Sequence, residues 1–177
     1  MMSDIPLVTQ LQDKFADGIV AVELDSIDEW IEVTPAVLVA VCEFLRDAPD
    51  YHFDMCNCIT AVDYLQTDPK LAAKVSWAPH LELVYHLSSI ATKMTLVVKV
   101  KLPRWKDEST EQIPEIPSVT GVWTTAIWHE REVYDLSGVN FIGHPELKRI
   151  LCPDDWEGHP LRKDYEMPLE YHGIRNR

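Results

Sequence analysis

The chain is poor in the patterns on which most cofactor chemistry depends. Only 6 of its 177 residues are glycine, and none lies in a phosphate-cradling loop or a Gly-x-Gly-x-x-Gly fingerprint, so nucleotide binding by those devices is excluded. Its cysteines, Cys42, Cys56, Cys58 and Cys152, form no Cys-x-x-Cys pair. That spacing argues against a zinc ribbon, an iron–sulfur centre and a disulfide framework alike. No Gly-x-Ser-x-Gly nucleophile elbow is present. The longest apolar run, Ala36 to Cys42, falls far short of the roughly 20 residues a membrane span needs. The first residues show no basic and apolar leader, and Asp13 and Asp17 argue against a transit peptide. A soluble chain with reduced thiols is therefore expected.

Cations are also scarce. Lys and Arg number 16 against 29 Asp and Glu, a formal charge of −13. Such a surface repels phosphate backbones, which argues against a nucleic-acid partner. The imbalance is uneven. Before residue 129 there are 9 cations and 19 acids, and from there on 7 and 10. The later cations are paired in sequence, as Lys148-Arg149 and Arg162-Lys163.

The length suits one domain with a real core, and the periodicities indicate an α+β fold. Leu7 to Phe15 reads as a short helix closed by Asp17-Gly18. Ile19 to Leu24 and Trp30 to Val33 read as strands. Thr34-Pro35 is a helix start, with Val37, Leu38, Val41, Phe44 and Leu45 at helical spacing through residue 47. Phe53 to Leu65 is extended, which places Cys56 and Cys58 on one strand face. Leu81 to Leu87 and Met94 to Leu102 alternate as half-buried strands. Residues 103–118, with Pro103, Pro114 and Pro117, read as a loop at the sheet edge. The expected architecture is a two-layer α+β domain, residues 1–122, with a mixed sheet and helices on one face. Residues 123–177 follow as a helix, Trp123 to Leu136, and an extended tail, either part of the same domain or wrapped on a partner.

Candidate chemistry concentrates in that second segment. His52, Cys56, Cys58, His144 and His159 are conceivable metal ligands, but without tight pairs they read better as structural residues. Glu130, Glu132 and Asp135 lie near His129, with Glu130 four residues before Tyr134 and Arg131 four before Asp135. Local i,i+4 pairing explains these better than acid–base catalysis. The tail carries Gly-His-Pro twice, at 143–145 and 158–160. Each element fixes a bend and projects an imidazole sideways. Bonding of those rings to backbone carbonyls is the favoured role, with a titrating histidine the alternative. Arg149, Arg162 and Lys163, interleaved with Trp123, Trp128, Trp156 and Tyr165, have the composition of a docking strip.

The order of these residues is itself informative. Glu130-Arg131-Glu132, Tyr134-Asp135-Leu136, Gly143-His144-Pro145, Arg149-Ile150-Leu151, Asp154-Asp155-Trp156 and Gly158-His159-Pro160-Leu161-Arg162-Lys163-Asp164-Tyr165 run in sequence. This resembles the C-type subunit family of respiratory NADH:quinone oxidoreductase (complex I). Ile59 to Tyr64, Val84 to Leu87 and Ile116 to Thr120 extend the resemblance, to about residues 30–172.

The resemblance implies a non-catalytic scaffold of the peripheral arm, held at the cytoplasmic face of the bacterial inner membrane. Such a chain carries no cofactor of its own, while FMN, iron–sulfur clusters and quinone belong to other subunits. It sits beside the D-type subunit of the complex and near the cluster-bearing B-type subunit. Glu130, Arg131, Glu132, Asp135, His144, Arg149, Trp156, His159, Arg162, Lys163, Asp164 and Tyr165 are then interface or structural-signature residues. Two alternatives stand beside it. One is the same scaffold in a membrane-bound hydrogenase or a dehydrogenase fed by another donor. The other, more remote, is a stand-alone His/Cys metal enzyme.

Overall fold

A computed structural model describes residues 5–107 and 112–175. A five-stranded mixed sheet organises the chain. Helix α1 (Ile5–Phe15) comes first. It buries Leu7 and Leu11, one turn apart, and exposes most of its other side chains. A short 3₁₀ turn, Ala16–Gly18, leads into β1 (Ile19–Glu23). Gly18 is required there because a Cβ would stand 2.6 Å from the Val37 side chain. Strand β2 (Trp30–Val33), helix α2 (Leu38–Asp47) and strand β3 (Met55–Tyr64) follow. Next come the single turn α3 (Pro69–Ala72), strand β4 (His80–Ser88) and strand β5 (Thr95–Leu102). The sheet order is β1-β2-β5-β4-β3, with β2 and β5 parallel and the other neighbours antiparallel.

Strand alternation divides the sheet into two unlike faces. Leu81, Leu83, Tyr85 and Leu87 of β4, with Leu96, Val98, Val100 and Leu102 of β5, join the core formed with Leu38, Val41, Cys42 and Leu45 of α2. Each fully buried aliphatic side chain contributes about 1.5–3 kcal/mol by leaving water. The reverse face is polar and paired within itself. Lys101 Nζ donates to Glu32 Oε2 at 2.8 Å, Lys99 lies 4.2 Å over the Trp30 ring, and Tyr64 stacks on His80 at 4.5 Å.

Helix α4 (Ala126–Ser137) lies beside β3, the sheet's edge strand, and shields it. Trp123 Nε1 donates to Phe53 O at 3.0 Å, and Thr125 Oγ1 to Cys56 O at 3.1 Å. Strands β6 (Glu115–Pro117) and β7 (Asn140–Ile142) flank α4 and pair in parallel. The helix thus serves as the crossover that parallel strands require. The tail ends in a small hairpin, β8 (Glu170–Tyr171) and β9 (Ile174–Arg175).

Several local expectations need correction. Thr34 caps no helix, because Val37 N and Leu38 N bond back to Thr34 O and Pro35 O as a turn, and α2 starts at Leu38. Thr34 N is itself tied to Gly18 O at 2.9 Å, which holds this corner against β1. The last helix starts at Ala126 rather than Trp123, since turns at Val119 and the anchors to Phe53 and Cys56 set its entry. Cys56 and Cys58 do not share a face. A bulge at Asn57 pairs Cys56 with buried Leu87 and Cys58 with exposed His86. The segment 103–118 is not wholly loop, because its prolines tolerate β6. Pro114 O accepts from Asn140 N, and Ser118 N donates to Ile142 O.

Candidate docking site

Helix α4 presents an unusual set of buried groups: Glu130, Arg131, Asp135 and Ser137, alongside Ala126 and Val133. Gly138 ends the helix in the left-handed region at φ 68°, with its N–H bonded to Tyr134 O. This is the usual role of glycine just past a C-terminus. The chain then turns back, and residues 143–165 are laid over the helix by polar contacts.

Asp135 is the principal anchor. Its side chain is fully buried, with Oδ1 accepting from Arg149 Nη1 at 2.7 Å. Its Oδ2 accepts from the backbone N–H groups of Ile150, Leu151 and Cys152 at 3.0, 2.7 and 2.9 Å. Burial alone would raise its pKa. The N–H groups of Cys152, Ile150 and Leu151 and the Arg149 guanidinium outweigh burial and hold it at about 2. Arg149 also donates to Gly158 O at 2.9 Å. The expected Arg131–Asp135 pair does not form, because Arg131 donates instead to Lys148 O and Arg149 O, both at 3.2 Å. Its guanidinium also lies 5.0 Å over the Trp128 ring.

Both Gly-His-Pro histidines bind backbone carbonyls of the helix. His144 Nε2 donates to Ile127 O at 3.1 Å while its Nδ1 accepts from Glu146 N at 3.0 Å. His159 Nδ1 donates to Asp135 O at 3.0 Å, and burial pushes its pKa below the ordinary histidine value.

Arg162 closes the end of α4. It donates to Ser137 O at 2.6 Å, Gly138 O at 3.0 Å and Arg104 O at 2.7 Å, and its guanidinium lies 4.3 Å over the Trp105 ring. A cation bound to C-terminal carbonyls also answers the negative end of the helix dipole. Burial draws its pKa down to about 10, and nearby Arg104 adds to that effect.

Beyond it, Arg104 forms two forked ion pairs. One goes to Asp63 at 2.8 and 2.9 Å, the other to Asp164 at 2.7 and 3.0 Å. Lys163 N donates to Asp63 Oδ2 at 2.9 Å. The chain of contacts thus runs from β3 through the start of the 103–118 segment to the tail.

The residues expected to form an interface therefore divide in two. Glu130, Arg131, Asp135, His144, Arg149, His159, Arg162 and Asp164 have their polar groups bound to this chain's own groups. Glu130 bonds Ser118 and Val119 rather than Tyr134. Glu132 and the Lys163 side chain are exposed. Trp156 and Tyr165 are half-buried, and the Trp156 Nε1 and Tyr165 hydroxyl are enclosed with no hydrogen-bond partner among the described residues. The sequence offered no signal for Arg104, which stands among other cations, Lys101 and Lys106, beside Pro103. Asp63 had only a weak one, as an acid ending an apolar strand.

Apolar side chains project from the same region. Trp128, Leu151, Leu161, Met167, Leu169 and Ile174 are all exposed. Among the described residues, no three His, Cys, Asp or Glu side chains gather as a metal site, and no helix is long and apolar enough to cross a membrane.

Fold and site together define a small α+β domain whose charged tail segment is fastened to its own last helix and turns apolar side chains outward. The model of the respiratory-chain NADH dehydrogenase 30 kDa subunit family matches residues 31–171, and the chain belongs to that family. It is 40% identical over 162 residues to the C-type subunit of the NADH-quinone oxidoreductase of Salinispora arenicola, covering 90% of this chain and 60% of that one. The corresponding subunit of Chlorobium phaeobacteroides is 40% identical over 167 residues, 93% of this chain and 90% of the relative. The chain thus spans about three fifths of the first relative's length and nine tenths of the second's. Among solved structures, the fold resembles a chain of the membrane-bound sulfane sulfur reductase, an archaeal respiratory membrane complex. The TM-score there is 0.69 at 24% identity, over 94% of this chain and 87% of that one.

Proposed function

We propose that this chain is a scaffold subunit of NADH:quinone oxidoreductase, without catalytic residues or a cofactor of its own. It holds the D-type and B-type subunits in the peripheral arm at the cytoplasmic face of the membrane. NADH oxidation by quinone and proton translocation are the work of the assembled complex, whose FMN, clusters and quinone lie in other subunits. One observation carries this reading. The family's ordered segment 130–165 binds its buried charges internally to set a fixed path, while Leu151 and Leu161 within it and Trp128, Met167, Leu169 and Ile174 beside it face outward. A prearranged surface of this kind favours partner binding because little ordering remains to be done on contact.

A second reading is favoured by the fold likeness to the sulfane sulfur reductase chain: the same scaffold in a complex fed by another donor. Capture of the tagged chain from membranes in mild detergent separates the two through the donor that reduces the captured complex. Leu161→Asp and Leu169→Asp, both at exposed positions, should lower partner recovery at least tenfold with the far-UV circular dichroism unchanged. Recovery of the chain alone, or NADH oxidation by the isolated chain, would refute the scaffold reading.

A further inference from the structure

Glu130 stands apart from the other buried charges of α4. Its side chain is inaccessible, and no salt bridge reaches it among the described residues. Its oxygens meet Val119 N at 2.7 Å and Ser118 Oγ at 2.6 Å. Ser118 Oγ continues to Thr120 Oγ1 at 2.8 Å and accepts from Thr120 N at 3.1 Å. Thr120 is half-exposed. A carboxyl and two hydroxyls thus lead toward a half-exposed residue, each oxygen within hydrogen-bond reach of the next.

The other walls are apolar or weakly ionisable. Cys42 from α2, Cys56 from β3 and Tyr85 from β4 face the carboxyl closely enough for its charge to oppose their ionisation. The Tyr85 hydroxyl is buried with no hydrogen-bond partner among the described residues. On α4 itself, Arg131 is turned away to the carbonyls of residues 148 and 149. Arg46 of α2 is bound to Asp47 and to the carbonyls of Gly121 and Val122.

We propose that Glu130 is a proton-binding site connected to solvent by the Ser118–Thr120 hydroxyl pair. With Glu130 ionised, Ser118 Oγ–H donates to Glu130, and Thr120 Oγ1–H donates to Ser118. With Glu130 protonated, both hydroxyls reverse: the carboxyl O–H donates to Ser118 Oγ, and Ser118 Oγ–H donates to Thr120 Oγ1. One proton enters at Thr120 and one resides on Glu130, so the charges balance. The Val119 and Thr120 N–H bonds persist in both states, so the site can load and unload with the backbone in place. Burial raises this carboxyl from 4.5 to about 7, against the lowering effect of the Ser118 and Val119 bonds. Exchange would therefore fall in the physiological range. The site does not depend on the scaffold reading, since every group in it belongs to this chain.

The test is a carboxyl-carbon NMR titration of the full chain carrying ¹³C-labelled glutamate, with Glu130 assigned through its backbone correlations. The expected result is one glutamate with a midpoint near 7, its protonated-acid infrared band absent in Glu130→Gln. Ser118→Ala leaves the carboxyl in place and removes a bond that favours its ionised form. Its midpoint should rise by at least half a pH unit, and its proton exchange should slow. An ordinary midpoint near 4.5 in the unaltered chain overturns the site. An unchanged midpoint and exchange rate in Ser118→Ala overturns the hydroxyl path.

Discussion

Helices α2 and α4 pack against the same sheet by opposite means. Helix α2 buries Leu38, Val41, Cys42 and Leu45. Such an apolar stripe seals a core without requiring any single partner. Helix α4 buries Glu130, Arg131, Asp135 and Ser137, each of which needs a named group at hydrogen-bond distance. Apolar burial is forgiving of small movements, whereas a buried charge loses its compensation when one partner leaves. The first kind of helix holds a layer together, and the second dictates the course of the chain laid over it.

Breaking the polar side should have the largest effect. Asp135→Ala strips the Arg149 guanidinium of its carboxylate and leaves three backbone N–H groups unpaired, and should cost about 4 kcal/mol. Urea denaturation of the full chain measures the loss, and limited proteolysis should find residues 145–165 newly cleavable below the global midpoint. The sign of its pH dependence follows from a pKa lowered from 3.8 to about 2. The support Asp135 gives is complete above about pH 3.8 and is lost as pH falls through 2, and the alanine variant should lack this acid limb. Glu130 runs the other way. Raised from 4.5 to about 7, its support is complete below 4.5 and lost as pH rises through 7.

Leu45→Ala on the apolar side should cost about 3 kcal/mol through a cavity. Its loss should be the same from pH 5 to 8, with the tail released only on global unfolding. A pH-dependent loss would erase the contrast between the helices.

The smallest effect is expected at their shared logic of chain direction. Gly138→Ala at φ 68° should cost about 1–2 kcal/mol in backbone strain. Its Cβ would stand 2.4 Å from His159 Cδ2 and press the ring off Asp135 O. Histidine NMR should then show the His159 pKa rising toward its ordinary value as burial is relieved.

This contrast also explains what the sequence made legible. The strands from Leu81 and Met94 announced themselves because apolar burial repeats with a period of two. The carbonyl-bound histidines were readable because Gly and Pro fix local geometry. The destinations of Arg149, Arg131 and Arg162 were not. An arginine's pattern shows that it needs acceptors but not whether those lie on its own chain, and apart from the Asp135 carboxylate that holds Arg149 they are here backbone carbonyls, which carry no sequence signature. The bulge at Asn57 was equally hidden, since one extra residue changes the face of all that follow it without changing composition.

The Asp63–Lys163 contact spans 100 residues, and the Arg104–Asp164 pair spans 60. Closing such loops early would be entropically costly, so both bonds await a sheet that already holds the ends of β3 and β5. Asp63 and Arg104 leave the ribosome long before their tail partners and can pair first with each other. The path of the tail that turns Leu161 outward is fixed only after residue 164 has been made. A chain interrupted earlier would carry most of its core but no fixed tail path, so the clamp makes the course of the tail depend on the sheet beneath it.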